Sequence, residues 1–333
     1  MAPDDSEQLA PPRRKPPWAL GIRMLVSAVL LAVLVSKIDF DGALPKDRHL
    51  STLAWFAAAV LMATVGIVLS AWRWQRVLLA FGSPVPLRAL TGHYFAGQFV
   101  GNVLPSTIGG DVLRISRSAK NIGSSETAFA AVALERLSGF LALPVLCLFG
   151  FVVDPSLLES STAWVAILIS GIALAALAGI LLLAAHPRMA GRFEHHENWM
   201  RFIGAAHIGV ARLRADPRAA LAVLGTAMIY QISVVLTVGF VILTIGAPVP
   251  VGAVIAFVPV VAMAQVIPIS LSGLGVREGM FVLLLHPLGI PNGQAIGIGL
   301  LWYLTMLLVS FLGAPAFAVG NRHHTTVGAG SES

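Results

Sequence analysis

Ala163-Trp-Val-Ala-Ile-Leu-Ile-Ser-Gly-Ile-Ala-Leu-Ala-Ala-Leu-Ala-Gly-Ile-Leu-Leu-Leu-Ala-Ala185 runs for 23 residues without one charged side chain. As an α-helix it rises about 35 Å at 1.5 Å per residue, enough to cross a hydrocarbon layer about 30 Å thick. Lipid offers the backbone no hydrogen bonds, and a helix satisfies its own within one segment. The stretch therefore predicts a membrane-spanning helix. Outward from it, comparable runs occupy Trp18 to Ser36, Ser51 to Trp72, the polar cap Ser124-Ser125-Glu126 to Val153, Ala219 to Ile245, and Asn292 to about Val319.

Apolar residues fill 57% of the 333 positions and charged ones 11%, against roughly 25% charged in a soluble domain. No single soluble core of this size hides that much apolar surface, so soluble classes are excluded. Cys147 is the only cysteine and lies in an apolar run, so there is no disulfide framework. The net charge of +6 sits in a few loops. That placement fits anchoring against anionic headgroups rather than binding nucleic acid. Arg13, Arg14 and Lys15 ahead of Trp18 imitate a signal peptide, but the apolar stretch is long for one and Lys37-Ile38-Asp39 is a poor cleavage site. An uncleaved first span is expected. The division expected is a disordered, proline-rich cytoplasmic tail over 1–17, one transmembrane domain over 18–320, and a short C-terminal tail over 321–333.

The tail, the loop with Arg73, Arg76 and Arg88, the Arg114 to Lys120 loop and the Pro187 to Arg218 segment are all basic. The positive-inside rule puts these four, and both termini, in the cytoplasm of a multi-pass protein of the bacterial inner membrane. The loops after the first, third and fifth spans are acidic or neutral and face outward. For this count to close, Ala89 to Gly110 must enter from the cytoplasm and return to it. Val251 to Leu288 must dip in from outside, with 279–288 as the place where an extra crossing would fit.

These two segments match each other. Asn102-Val-Leu-Pro105-Ser-Thr-Ile-Gly-Gly110-Asp-Val-Leu-Arg114 aligns without a gap to Gln265-Val-Ile-Pro268-Ile-Ser-Leu-Ser-Gly273-Leu-Gly-Val-Arg277. Pro105 and Pro268 are 163 residues apart, as are Arg114 and Arg277. Thr107 meets Ser270 and Gly110 meets Gly273 at the same offset. One opens inward and one outward, the pattern of an inverted repeat whose broken helices meet near the membrane midplane. The expected fold is an all-α polytopic membrane protein, with about six full spans plus two re-entrant broken segments in an inverted repeat.

Charges lie inside the apolar zone. Glu135-Arg136 falls about nine residues into its span, roughly 14 Å deep. An ion there costs from about 2.5 to beyond about 10 kcal/mol unless it faces the protein interior. Adjacent helix positions point about 100° apart, so each residue needs a partner from another segment. The pairs expected are Glu135 with Arg277, and Arg136 with Asp111 or Glu278. In a working cycle these arginines would receive a lipid phosphate; a purely structural network is the alternative. Thr107 to Gly110 resembles an anion cradle, because glycine lets backbone N–H groups approach a phosphate. The candidate headgroup-site residues are Asn102, Pro105, Ser106, Gly109, Gly110, Asp111, Arg114, Glu135 and Arg136 in the first copy. In the second they are Gln265, Pro268, Ser270, Gly273, Arg277 and Glu278. His93 and Tyr94 are assigned to packing or interfacial anchoring, and Glu194-His195-His196-Glu197 to a solvated loop, since it lacks metal-ligand spacing. No cofactor, metal site or catalytic residue is expected.

The stretch from Trp72-Arg73 through Pro105-Ser-Thr-Ile-Gly-Gly-Asp111 to Glu135-Arg136-Leu-Ser-Gly139, with Pro268 and Gly273-Leu-Gly-Val-Arg-Glu278, resembles a flippase-like integral membrane family. It is the membrane region of lysylphosphatidylglycerol synthases (multiple peptide resistance factor), found also as stand-alone proteins. The resemblance covers about Ala19 to Gly320, with Pro-Ser-x-x-Gly-Gly-Asp its most specific part. It implies membrane helices with re-entrant pieces, and a role in moving or presenting anionic, aminoacylated or glycosylated lipids across the bilayer. The sequence ends about a dozen residues past the last span, so the soluble aminoacyl-transferase domain is expected to be absent and synthase activity is not carried over.

A lipid translocase without ATP hydrolysis is the leading expectation. The alternatives are an integral membrane enzyme on lipid phosphates and a scaffold for a lipid or cell-wall glycosyltransferase. A membrane-associated synthase or glycosyltransferase is a partner consistent with each.

Overall fold

The structure is a computed structural model describing residues 50–103, 109–185, 200–266 and 272–322. The expected span Trp18 to Ser36, the two tails, and the tips of both broken segments lie outside the described residues. So do Pro105, Ser106, Pro268, Ser270 and Glu194 to Glu197.

Eleven α-helices are described: α1 (Leu50–Ala80), α2 (Leu87–Val103), α3 (Gly109–Ile122), α4 (Ser125–Val153), α5 (Ala163–Ala185), α6 (Met200–Ala215), α7 (Pro217–Ile245), α8 (Val251–Ala264), α9 (Val276–Leu285), α10 (Asn292–Phe311) and α11 (Ala314–Arg322). Five of them, α1, α4, α5, α7 and α10, are long and apolar enough to cross a membrane. Local chemistry sets their ends. Ser124 caps α4, its hydroxyl accepting from the Thr127 amide at 3.1 Å. Asp216 caps α7 by accepting from the Arg218 and Ala219 amides, with Pro217 at the first helical position, and Gly246 ends α7 at φ +74°.

Two boundaries differ from the sequence expectation. α1 does not stop at Trp72 but continues to Ala80, because Arg73 is buried within the bundle and Val77 and Leu78 beyond it are core residues. The last span ends at Phe311 rather than near Val319. The chain turns at Leu312 and Gly313, where a β-carbon on Gly313 would lie 2.1 Å from the Phe95 carbonyl oxygen, and α11 begins anew beside α2. The segment suspected of an extra crossing is α9. Its ten residues rise about 15 Å, half the hydrocarbon thickness.

The helix order recurs. The starts of α1 and α7, α2 and α8, α3 and α9, and α4 and α10 are 167, 164, 167 and 167 residues apart. Contacts recur with them: α3 packs on α4 as α9 packs on α10, α1 on α2 as α7 on α8, and α4 on α8 as α10 on α2, while α1 and α7 lie against each other. Two apolar cores result. One gathers Trp74, Val77, Leu78 and Leu90 with Ala130 to Leu134 at the start of α4. The other joins the far half of α4 to α7, α8, α9 and α10, with Phe151 edge-on to Phe257 and Phe281 edge-on to Trp302. The polar site lies where they meet.

Candidate functional site

Glu135 and Arg136 diverge as their 100° separation requires. Glu135 is 1% exposed, whereas the Arg136 side chain is 49% exposed. Glu135 does not meet Arg277. Its two carboxylate oxygens are divided between Arg73 of α1 and Arg114 of α3, the second bond being 3.0 Å from Arg114 Nη2 to Glu135 Oε2. Arg114 also reaches Asp111 Oδ1 at 3.4 Å, and the other Asp111 oxygen pairs with Arg136, as expected. The five groups form one alternating ladder, Arg73–Glu135–Arg114–Asp111–Arg136, with three guanidiniums against two carboxylates. It begins and ends in a cation.

Aromatic faces replace part of the lost hydration of the two buried cations. The Arg114 guanidinium lies 4.5 Å from the Trp74 ring centre and 4.0 Å from that of Tyr94; Arg73 lies 4.6 Å from that of Tyr230. Gly139, one turn beyond Glu135, leaves the space Arg73 occupies: a β-carbon there would stand 2.6 Å from Arg73 Nη1. Its carbonyl accepts from Gln231 Nε2 of α7 at 3.1 Å. Among the described residues Arg73 Nε and Nη1 and Arg114 Nε have no hydrogen-bond partner although they are buried. Buried donors left in this condition are costly unless something fills the space beside them.

The ladder borders a cavity of about 330 Å³. Arg73, Tyr94, Arg114, Glu135, Tyr230 and Gln231 line it on one side, and Ala262, Gln265, Val266 and Trp302 on the other. Residues following the first break and preceding the second thus share one cavity.

Of the candidate residues, Arg114, Glu135, Arg136 and Gln265 line it, and Asp111 joins through the ladder. Asn102 instead donates to Ser310 Oγ of α10 at 2.5 Å. Gly110 packs backbone to backbone on α2, where a β-carbon would lie 2.4 Å from the Gly97 carbonyl oxygen; Thr107 and Ile108 of the expected anion cradle lie outside the described residues. Gly273, at φ +77°, lies against the Gln265 side chain.

Arg277 and Glu278 pair with each other, Arg277 Nε and Nη2 donating to Glu278 Oε1 at 3.1 and 3.0 Å. The angular argument against adjacent pairs fails here because Glu278 reaches back to accept from the Gly275 amide at 2.6 Å. In the first turn of a helix such side chains fold toward the N-terminus, and a long arginine follows. Arg277 still borders the site, 5.6 Å from the ring centre of Trp302.

Arg73, Trp74, Tyr230 and Gln231 were not among the expected site residues, and Tyr94 had been assigned to packing. Arg73 carried a readable signal in the apolar run Val77 to Ala80 beyond it, and Gln231 in being a lone amide midway along an apolar span.

A family model described as the lysylphosphatidylglycerol synthase TM region matches residues 20–313. No curated protein matches the chain. With its apolar helices, the match identifies a multi-pass membrane protein.

Proposed function

The chain belongs to the lysylphosphatidylglycerol synthase TM region family, whose members are lipid-handling membrane proteins, and we propose that it translocates or presents anionic lipids by binding their headgroups in the arginine cavity. One observation carries this: Arg73, Arg114 and Arg136 line one cavity as members of a ladder holding one positive charge in excess. A phosphodiester supplies the missing charge. Exchange is cheap for the protein, because each arginine trades one oxygen anion for another and stays desolvated and paired.

The recurring helix order and the recurring contacts support an inverted repeat, in which the two broken segments approach a common midplane site from opposite sides. In this arrangement both termini lie in the cytoplasm of the inner membrane. No bond of the lipid is made or broken, and no nucleotide is consumed. Movement is equilibration, or is driven by a gradient or partner.

The test is reconstitution into vesicles with headgroup-labelled phosphatidylglycerol. The wild type should speed exposure of the label to an impermeant quencher. Arg114→Gln, which forfeits a charge-assisted bond of about 1.5–3 kcal/mol, should slow it roughly ten- to hundredfold. Altered lipid in the vesicles would point to an enzyme, and unchanged label exposure with intact lipid would refute translocation.

A further inference from the structure

The α7–α8 hairpin carries a second concavity, of about 300 Å³, with mainly apolar walls: Val235, Gly239 and Ile242 on α7 face Val251, Val254 and Ile255 on α8. Leu236, Leu243 and Val251 stand exposed along it, so it opens sideways from the bundle. Gly239 leaves its floor empty, since an added β-carbon would meet only Val254 Cγ1, at 4.0 Å. Phe240 beside it is stacked on Trp55 of α1, ring centres 6.0 Å apart.

The groove and the polar cavity lie along the same two helices. On α7, Gln231 of the cavity begins a stripe through Val235, Gly239 and Ile242 of the groove, the i, i+4, i+8, i+11 spacing of one helix face. On the facing wall Val251 and Ile255 of the groove are followed on the same face by Ala262 and Val266 of the cavity. From Gln231 to Leu243 the rise is about 18 Å, close to the roughly 15 Å of half a hydrocarbon layer.

We infer that the α7–α8 groove is the seat of one acyl chain of the lipid whose headgroup occupies the arginine cavity. The inference rests on the headgroup proposal. A chain leaving bulk lipid for the groove gains no hydrophobic energy, because lipid tails are as apolar as its walls. The groove therefore orients the lipid rather than holding it. Its occupancy is coupled to the headgroup, and this separates it from ordinary lipid contact.

The experiment uses the full chain in phosphatidylcholine nanodiscs doped with phosphatidylglycerol or phosphatidylcholine bearing a diazirine at the end of one acyl chain. After irradiation, adducts are mapped by mass spectrometry. Phosphatidylglycerol should label residues 236–255 in excess of phosphatidylcholine by about fivefold or more, the lower end of typical coupling between sites. Both probes should label the exposed face of α5 at Leu182 equally. Gly239→Phe should remove the excess, with binding of short-chain dihexanoyl phosphatidylglycerol as the check that the variant is folded. Gly239→Ala should retain the excess.

Equal labelling of 236–255 by both probes would overturn the inference. Dihexanoyl phosphatidylglycerol binding that is present in the wild type and lost in Arg114→Gln would then show that the headgroup site stands without it. If the short-chain lipid does not bind the wild type at all, both fall.

Discussion

Glu135→Gln is the substitution on which the exchange mechanism can be judged. The side chain is 1% exposed and shared by Arg73 and Arg114. The amide keeps its shape and one acceptor oxygen but removes the charge, leaving three cations against one anion in the ladder. Breaking a buried pair by neutralising one partner costs about 3–5 kcal/mol. The amide oxygen returns a neutral hydrogen bond of about 1 kcal/mol, so a net loss of about 2–4 kcal/mol is expected without ligand. A bound phosphodiester reverses the balance. Two like charges about 5 Å apart repel by about 3 kcal/mol at an effective dielectric of 20, and the variant is spared that repulsion.

Thermal unfolding in an uncharged detergent, with phosphatidylglycerol titrated in, reads both effects. Glu135→Gln should unfold several degrees below the wild type without lipid, and should gain more from the lipid than the wild type gains. Arg114→Gln should show the opposite, a weakened response to lipid. If Glu135→Gln unfolds with the wild type and both respond equally, the carboxylate is not a competitor for the headgroup, and exchange of anions on the arginines is wrong.

Glu278→Gln removes the charge paired with Arg277 and leaves one acceptor oxygen for both Arg277 and the Gly275 amide; it should lower stability by about 2–3 kcal/mol. Neither Glu278→Gln nor Arg277→Gln should change phosphatidylglycerol affinity by more than about twofold in direct binding, because this pair lies behind Trp302 and neither residue lines the cavity. Gly110→Val places a β-carbon where the Gly97 carbonyl oxygen stands, parting α2 from α3 at a cost of about 1–3 kcal/mol or more; size-exclusion profiles after membrane extraction should show its yield falling well below that of Gly101→Val, where the space is open.

The spans were legible because hydrocarbon thickness fixes their length: 163–185 and the start at Ser125 coincide with the observed helices. The helix starts recur at 164 to 167 residues, whereas Gly110 and Arg114 align with Gly273 and Arg277 in the sequence at 163. What the sequence hid was depth. Arg73 reads as the start of a basic loop, and the apolar run Val77 to Ala80 beyond it does not distinguish it from Arg76, three residues on and less buried. Only the carboxylate of Glu135, brought across from another helix, makes position 73 a buried one. Partner choice was hidden for the same reason: Glu135 was matched to Arg277 by elimination among broken segments, while the nearer arginine had been counted outside the membrane. The pair Arg277–Glu278 was dismissed on helical angle, which governs mid-helix positions but not a first turn whose side chains fold back onto free amides.

The arginines that follow the two broken segments differ in how they are paired. Arg114 and Arg277 follow their breaks at the same offset, and each lies against aromatic rings, Trp74 and Tyr94 for one and Trp302 and Tyr303 for the other. Arg114 takes its anion from another helix and shares it with a second arginine, so the bond can be exchanged without unfolding anything. Arg277 takes its anion from the next residue, which also caps α9; releasing it would open a helix end. By the 163-residue register that pairs Arg114 with Arg277, the α10 residue answering to Glu135 is Ile298. An aliphatic side chain stands where a carboxylate would have made a second exchangeable site. Two equal sites on opposite sides of one cavity would set two phosphates against each other in a medium that screens them poorly. With one arginine closed on its neighbour and the other held by a shared carboxylate, the proposed mechanism has exchangeable charge for a single headgroup in the cavity.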